Sequence, residues 1–201
     1  MNKLIFTILL LLVTKIYCVA QQSNTNSSEV IQNLPISKAD LGIFPYFKTF
    51  PNCKPQNTSD SITLEQNVVY FYDGKNYFTV EGKVSAQTIT VIDNKKKALS
   101  EFQITRDFDK VVATLGGKKI YAGKLPQDAL QKASKADMTT LPSQKQLVFS
   151  AHYGVVEYVI KTSEKEVWIQ LVPSSITSDY YCLLVVEKQN QLIATNINKQ
   201  N

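Results

Sequence analysis

The segment Thr105–Leu125 constrains the fold more than any other stretch of the sequence, because it contains an amphipathic helix, a helix stop and a strand in succession. The helix is indicated by apolar residues at positions i, i+3, i+4 and i+7, namely Phe108, Val111, Val112 and Leu115. We expect this main helix to cover residues 105–116, with Thr105 as its N-cap. Asp107 and Asp109 would then place negative charge in its first turn.

The double glycine after this helix predicts where it ends. Gly116 can adopt the left-handed conformation that terminates helices, and Lys118–Ala122 then has the composition of a short strand. Pro126 suits the first turn of a second, shorter helix, which we expect to cover residues 126–133. A phosphate-binding loop is not indicated, because its glycines would have to precede the helix whose N–H groups face the anion.

Two β blocks flank the main helix in the sequence. In the first, Val68–Tyr72 and Tyr77–Val80 surround an Asp-Gly turn, which predicts a β-hairpin. Val84–Ile92 is rich in Val, Ile and Thr and predicts a third strand, with Gly82 as a bulge or bend before it. Upstream, Leu41–Cys53 alternates aromatic residues with prolines, so we expect an extended segment that lies against the core.

The second block predicts three strands with short connections, and therefore an antiparallel meander: Val155–Thr162, Val167–Val172 and Tyr180–Glu187. The last of these strands is apolar on both faces, which favours a central position in a sheet. In the first strand, apolar residues alternate with Glu157 and Lys161, so one face of this strand is expected to contact water.

These patterns together predict an α+β fold. In it, two antiparallel β-sheet blocks pack around the main amphipathic helix at 105–116 and the shorter helix at 126–133. We expect residues 39–188 to form this single domain, which is long enough to bury a core of its own. A flexible polar leader at 21–38 and a polar tail at 189–201 are expected to flank it.

The N-terminus predicts export. Lys3 precedes an apolar run, Leu4–Val13, and small residues at Cys18 and Ala20 complete the pattern of a secretory signal peptide at 1–20, cleaved after its last residue. In the alternative, Cys18 is lipidated, although the bulky residue before it suits a lipobox poorly. We expect an exported protein, whether periplasmic, outer-membrane-associated or secreted, with no transmembrane segment in its mature chain.

The charge of the chain does not indicate nucleic-acid binding. The formal net charge is +5, and removal of Lys3 and Lys15 with the signal peptide lowers it. The run Lys95–Lys97 follows Asp93-Asn94 and is typical of a solvated turn, whereas a nucleic-acid surface would need more charge interleaved with aromatic residues. No nucleic-acid partner is therefore expected.

The cysteines and the single histidine leave alternatives open. Cys53 and Cys182 remain after signal cleavage, and an even number of cysteines in an exported chain is compatible with a disulfide. In the alternative, Cys182 is a small buried hydrophobic residue of the segment Tyr180–Val186, and Cys53 is a free thiol in a loop. A further hypothesis is a thiol hydrolase that combines either cysteine with His152, although no cysteine-nucleophile motif surrounds them. We expect no cofactor and no metal site, because one histidine cannot form a His cluster.

Aromatic residues are the remaining candidates for binding. On an alternating strand, Trp168 shares a face with Gln170 and Val172, where it belongs either to the core, which we favour, or to an exposed patch. For a small apolar ligand in an aromatic-lined concavity, or for a partner, the candidate contacts are Tyr46, Phe47, Tyr158 and Trp168.

Several motifs together resemble a known family. Their order is an aromatic, proline-containing opening (GIFPYFKTFP), a hairpin (YFYDGKNYFTVEGKV), a helix followed by LGGKKIYAGKLP, and an aromatic meander with VWIQL. Across residues 39–188 the chain resembles the N-terminal envelope domain that precedes the peptidoglycan-binding module in some OmpA-family outer-membrane proteins. The resemblance implies an envelope location and a non-catalytic role. The residues of the peptidoglycan-binding module have no counterpart in this sequence, so none is assigned.

The leading hypothesis from the sequence is an exported, non-enzymatic, envelope-associated protein that binds a partner or an envelope component. One alternative is a secreted carrier of a small apolar ligand. The other is the thiol hydrolase that uses Cys53 or Cys182 with His152.

Overall fold

A computed structural model of the protein describes residues 31–50, 53–55, 61–91, 100–128, 154–173 and 180–190. The expected signal peptide and most of the expected leader and tail lie outside these residues. Seven strands and one complete helix are described, in the order β1 (Cys53–Pro55), β2 (Ile62–Tyr72), β3 (Tyr77–Val91), α1 (Glu101–Thr114), β4 (Lys118–Gly123), β5 (Val155–Lys161), β6 (Lys165–Val172) and β7 (Tyr180–Gln189).

All seven described strands belong to one antiparallel sheet. The order across it is β1–β3–β7–β6–β5–β4, and β2 also pairs with β3. The α+β prediction of two separate β blocks packed around two helices is therefore wrong. The blocks merge because β3 is 15 residues long and bridges them. It pairs with β2 through residues 77–86 and with β7 through residues 83–90.

The helix α1 begins earlier than the sequence analysis predicts. Ser100, not Thr105, is the N-cap, and its hydroxyl oxygen accepts a hydrogen bond from the Gln103 N–H. Glu101 supplies the acidic charge of the first turn, which the sequence analysis assigned to two aspartates further along the helix. The predicted range 105–116 is thus wrong at its start, because Ser100 is the residue that caps the free N–H groups.

The end of α1 agrees with the prediction. The helix ends at Thr114, and Gly116 follows with a φ of +73°, the left-handed conformation expected of a glycine stop. Strand β4 then begins at Lys118. Most of the range 126–133, where the sequence analysis predicts a second helix, lies outside the described residues, which stop at Asp128 in this part of the chain.

The helix covers one face of the sheet, which we call the first face. Ile104, Phe108 and Val112 form the buried stripe of α1. They pack against alternate side chains of β5, β6 and β7, including Tyr158 and Ile169. The predicted meander and the central position of β7, between β3 and β6, are confirmed.

The β2–β3 hairpin covers the opposite face, which we call the second face. Its inward side chains pack on alternate residues of β5, β6 and β7. The rings of Phe71 and Phe78 each lie 5.3 Å from the ring of Trp168. The central strands are therefore buried on both faces, and Trp168 is a fully buried core residue.

Gly82 lies where β3 leaves the hairpin and joins β7. A Cβ atom at this position would lie 2.2 Å from the carbonyl oxygen of Glu187 in β7, closer than any side chain tolerates. The irregularity in pairing is in the other strand, where the register of β2 shifts between Leu64 and Asn67. Glycine is needed here because two backbones approach closely, while β3 itself continues.

Gly82→Ala is expected to lower the free energy of unfolding by at least about 3 kcal/mol, because the added methyl group must displace backbone atoms of β7. Urea unfolding measures the loss. Gly42→Ala is the control, since nothing lies within 4 Å of its added Cβ and only its φ of +78° is unfavourable, at about 1–2 kcal/mol. Equal losses in the two variants would contradict the close-approach explanation.

Candidate functional site

An apolar groove lies on the first face, between α1 and residues 41–50, which we call the strap. Its volume is about 310 Å³, at the low end of the range of about 300–1,000 Å³ in which small-molecule sites fall. The strap and the helix end supply its apolar walls: Leu41, Phe47, Phe50, Phe108, Val111 and Leu115. The groove is thus built from two elements that are far apart in the sequence.

The strap packs on the core as predicted, but it is not extended throughout, because a turn closed by the Tyr46 N–H and the Ile43 carbonyl oxygen at 2.8 Å interrupts it. Phe47 is buried, and its ring lies 6.0 Å from that of Phe108. The ring of Phe50 lies 5.3 Å from Phe108 and 5.6 Å from Tyr181 of β7. The strap therefore completes the cover of the first face where α1 does not reach.

Tyr46 fixes the turn in the strap. Its φ of +70° is uncommon for a residue with a side chain and costs on the order of 1 kcal/mol. Lys165 of β6 holds it in place, because its Nζ donates to the Tyr46 hydroxyl at 2.8 Å and to Glu187 Oε2 at 3.2 Å. The turn leaves Ile43 91 % exposed. The strap is thus anchored to the sheet through a lysine of β6.

The structure brings together two of the four aromatic residues predicted as contacts. Tyr46 and Phe47 line the groove. Tyr158 lies on the same face but is fully buried, and its hydroxyl donates to Asp109 Oδ1 at 2.9 Å. Burial, with Asp109 as a further cause, raises the pKa of Tyr158 well above its ordinary value. Trp168 lies on the second face, beneath the hairpin, and like Tyr158 it is not among the residues that line the groove.

The helix side of the groove was not predicted as a binding wall. The sequence analysis recognised Phe108, Val111 and Leu115 as part of an apolar stripe, but used that stripe only to predict the helix. In the structure Val111 is 42 % exposed, whereas its neighbour Val112 is buried. The available signal was the width of the stripe, because adjacent apolar residues on a helix cannot all face one sheet.

Two buried polar side chains hold the hairpin on the second face. Glu157 of β5 and Gln170 of β6 are cross-strand neighbours, and both are buried. Glu157 Oε2 accepts a hydrogen bond of 2.6 Å from the Tyr72 N–H, and Gln170 Nε2 donates to the carbonyl oxygen of Tyr70. Gln170 Nε2 also donates to Glu157 Oε1 at 2.9 Å. We call this pair the polar clamp.

The polar clamp supplies hydrogen bonds to the backbone of β2 that a neighbouring strand would otherwise supply. Tyr70 and Tyr72 direct these backbone groups to the edge of β2 that faces away from β3, and no described strand pairs with that edge. Buried backbone groups without partners are costly, so the two side chains supply the hydrogen bonds. The prediction that the Glu157 side of β5 contacts water is therefore wrong, because the hairpin covers it.

The environment of Glu157 favours its neutral form. Burial raises the pKa of Glu157 from 4.5 to about 8. The hydrogen bonds from the Tyr72 N–H and from Gln170 oppose this rise, because they stabilise the charged form, and the nearby charge of Asp73 adds to it. Burial and the proximity of Glu157 also raise the pKa of Tyr77 above its ordinary value.

The two predicted thiol positions are separated by the sheet. Cys53 packs on the first face, and Cys182 packs on the second face beside Val172. Both are buried thiols in the structure, which does not join them in a disulfide. Burial raises the pKa of both, to about 12 for Cys182, and so opposes the thiolate that a nucleophile needs. His152 and Cys18 lie outside the described residues.

In the ranges that the structure describes, no three or more His, Cys, Asp or Glu side chains are grouped to hold a metal ion. None of the helices in these ranges is both long and hydrophobic enough to span a membrane. No protein-family model, curated protein or solved structure matches the chain. The resemblance to the OmpA-family envelope domain therefore stays a prediction from motifs.

The stability of the protein is expected to fall as the pH rises from about 4.5 to about 8. Between these values the folded protein keeps a proton on Glu157 that the unfolded chain has lost, so the contribution is fully present below the lower value and lost above the upper one. The slope is up to about 1.4 kcal/mol per pH unit. Urea unfolding across this pH range measures it.

Glu157→Gln is expected to remove the larger part of this pH dependence, because its amide keeps the size of the side chain and does not titrate. Burial also raises the pKa of Glu187, which should leave a smaller slope of the same sign. Glu164→Gln, at an exposed position in the turn after β5, is the control and should leave the slope unchanged. A Glu157→Gln variant with the slope of the wild type would show that Glu157 is not the titrating group.

Proposed function

We propose that the protein is an exported, non-catalytic, envelope-associated binding protein whose groove holds the apolar chain of an envelope component. The observation that carries the proposal is the lining of the groove. Aromatic and aliphatic side chains from the strap and α1 line a shared cavity of about 310 Å³ that opens beside their mutual ring contacts. A chain that replaces water there gains about 25 cal/mol for each Å² of apolar surface removed from water.

The location in this proposal is supported by the sequence. The pattern at 1–20 is that of a secretory signal peptide, and the motif order between residues 39 and 188 resembles an envelope domain. Envelope lipids and their products are the molecules that supply single apolar chains in that compartment. The groove and the location thus favour the same class of ligand.

The proposal assigns no catalytic role to the thiols. Cys53 and Cys182 are buried on opposite faces, so at most one of them could belong to any one site. The carboxyl group of Glu157 is buried, but it lies on the second face, away from the groove. It forms hydrogen bonds with the Tyr72 N–H of the hairpin and with Gln170. Its role in the proposal is structural.

Val111→Gln is expected to weaken the binding of decanol, a neutral single-chain probe, by about tenfold. The substitution replaces an apolar wall of the groove by an amide that an alkyl chain cannot satisfy. Isothermal titration calorimetry with the purified protein measures the dissociation constant. Val111 is 42 % exposed, so the variant is expected to fold.

Phe102→Gln is the matched control, because Phe102 lies on the same helix, is 73 % exposed and does not line the groove. Its affinity for decanol should stay within about twofold of the wild type, as expected of a surface substitution outside the site. Absence of decanol binding by the wild type, or equal losses in the two variants, would contradict the proposed site.

A further inference from the structure

One lysine interrupts the apolar lining of the groove. Lys48 is the only charged side chain among the residues that line it, and Thr49 follows directly in the strap. Lys48 is exposed and forms no ion pair with any residue in the described part of the chain.

The acidic side chains of α1 do not compensate this charge. Asp109 pairs with Lys119 at 2.7 Å, and Asp107 pairs with Arg106 at 3.3 Å. The third, Glu101, lies in the first turn of α1 and is not among the residues that line the groove. Within the described ranges, Lys48 therefore presents a positive charge without an acidic partner beside an apolar cavity. A ligand with a negative head group and an apolar chain would satisfy both features at once, since charge complementarity favours the head group while the cavity takes the chain.

The size of the groove and the single charge limit the class of ligand further. A volume of about 310 Å³ has room for one alkyl chain and not for the paired chains of a diacyl lipid. A single lysine balances a single negative charge, which a carboxylate carries near neutral pH. The lysine also provides three N–H donors that can bond to the carboxylate oxygens.

We infer that the groove binds a free single-chain carboxylate amphiphile of the fatty-acid type, with its chain between the strap and α1 and its head group at Lys48. This inference rests on the proposed function and adds the chemistry of the head group. Binding by Lys48 is an interaction at an exposed position, so its contribution is modest and decreases as salt screens it. The apolar chain provides most of the affinity.

The test compares decanoate, decanol and decyltrimethylammonium, which share one chain and differ in head-group charge, by calorimetry on the purified protein near neutral pH. The wild type is expected to bind decanoate about fivefold more tightly than decanol. Decyltrimethylammonium is expected to bind more weakly than decanol, because Lys48 repels it. Lys48→Gln should abolish the preference for decanoate, so that the two affinities become equal within the variant.

Lys75→Gln is the matched control, because it makes the same change in net charge at an exposed position in the β2–β3 turn. It should keep the preference for decanoate. If decanol binds but decanoate binds no more tightly, or if Lys48→Gln and Lys75→Gln act equally, the inferred head group is wrong while the apolar groove stands. If neither probe binds, the proposed function itself fails.

Discussion

The hydrogen bonds from the polar clamp to the edge of β2 are the interaction on which the rest of the structure depends. A hairpin that folds back across a sheet buries the outer edge of one of its strands, and the backbone groups on that edge lose their contacts with water. Glu157 and Gln170 replace those contacts at Tyr72 and Tyr70. With the edge satisfied, the hairpin can remain over Trp168, the largest of the fully buried side chains. The cost is a carboxyl group held in its neutral form over much of the physiological pH range.

The hairpin covers only the second face of the sheet, so the first face is covered by two other elements, α1 and the strap. The helix α1 has 14 residues and is therefore about 21 Å long, which is not enough to cover the sheet alone. The strap covers the remainder, and Lys165 and Tyr46 fix its position. The groove lies where the strap and α1 meet on this face. Its apolar walls, which include the partly exposed Val111, are the surface that the ligand of our proposal would cover.

Local patterns in the sequence predicted the elements, and long-range contacts decided how they combine. The hairpin, the meander and the glycine stop depend on neighbours in the chain, and all three are present. The continuity of β3 was missed because Gly82 resembles a break, while its cause is a backbone more than a hundred residues away. Glu157 was expected in water because its partner, the Tyr72 N–H, lies 85 residues away. In the groove, Tyr46 and Phe47 were predicted as contacts from the aromatic composition of their segment. The contributions of α1 and Lys48 could not be predicted in this way, because they depend on the tertiary contact between the strap and the helix.

Amide hydrogen exchange at Tyr72, measured by NMR, tests most directly whether the polar clamp holds the hairpin on the sheet. The Tyr72 N–H bonds to Glu157 at 2.6 Å and lies on the edge of β2 that no described strand covers. We expect this amide to exchange as slowly as the amides between β6 and β7, because its hydrogen bond can break only when the hairpin leaves the sheet. Exchange as fast as that of an unprotected amide would contradict the account.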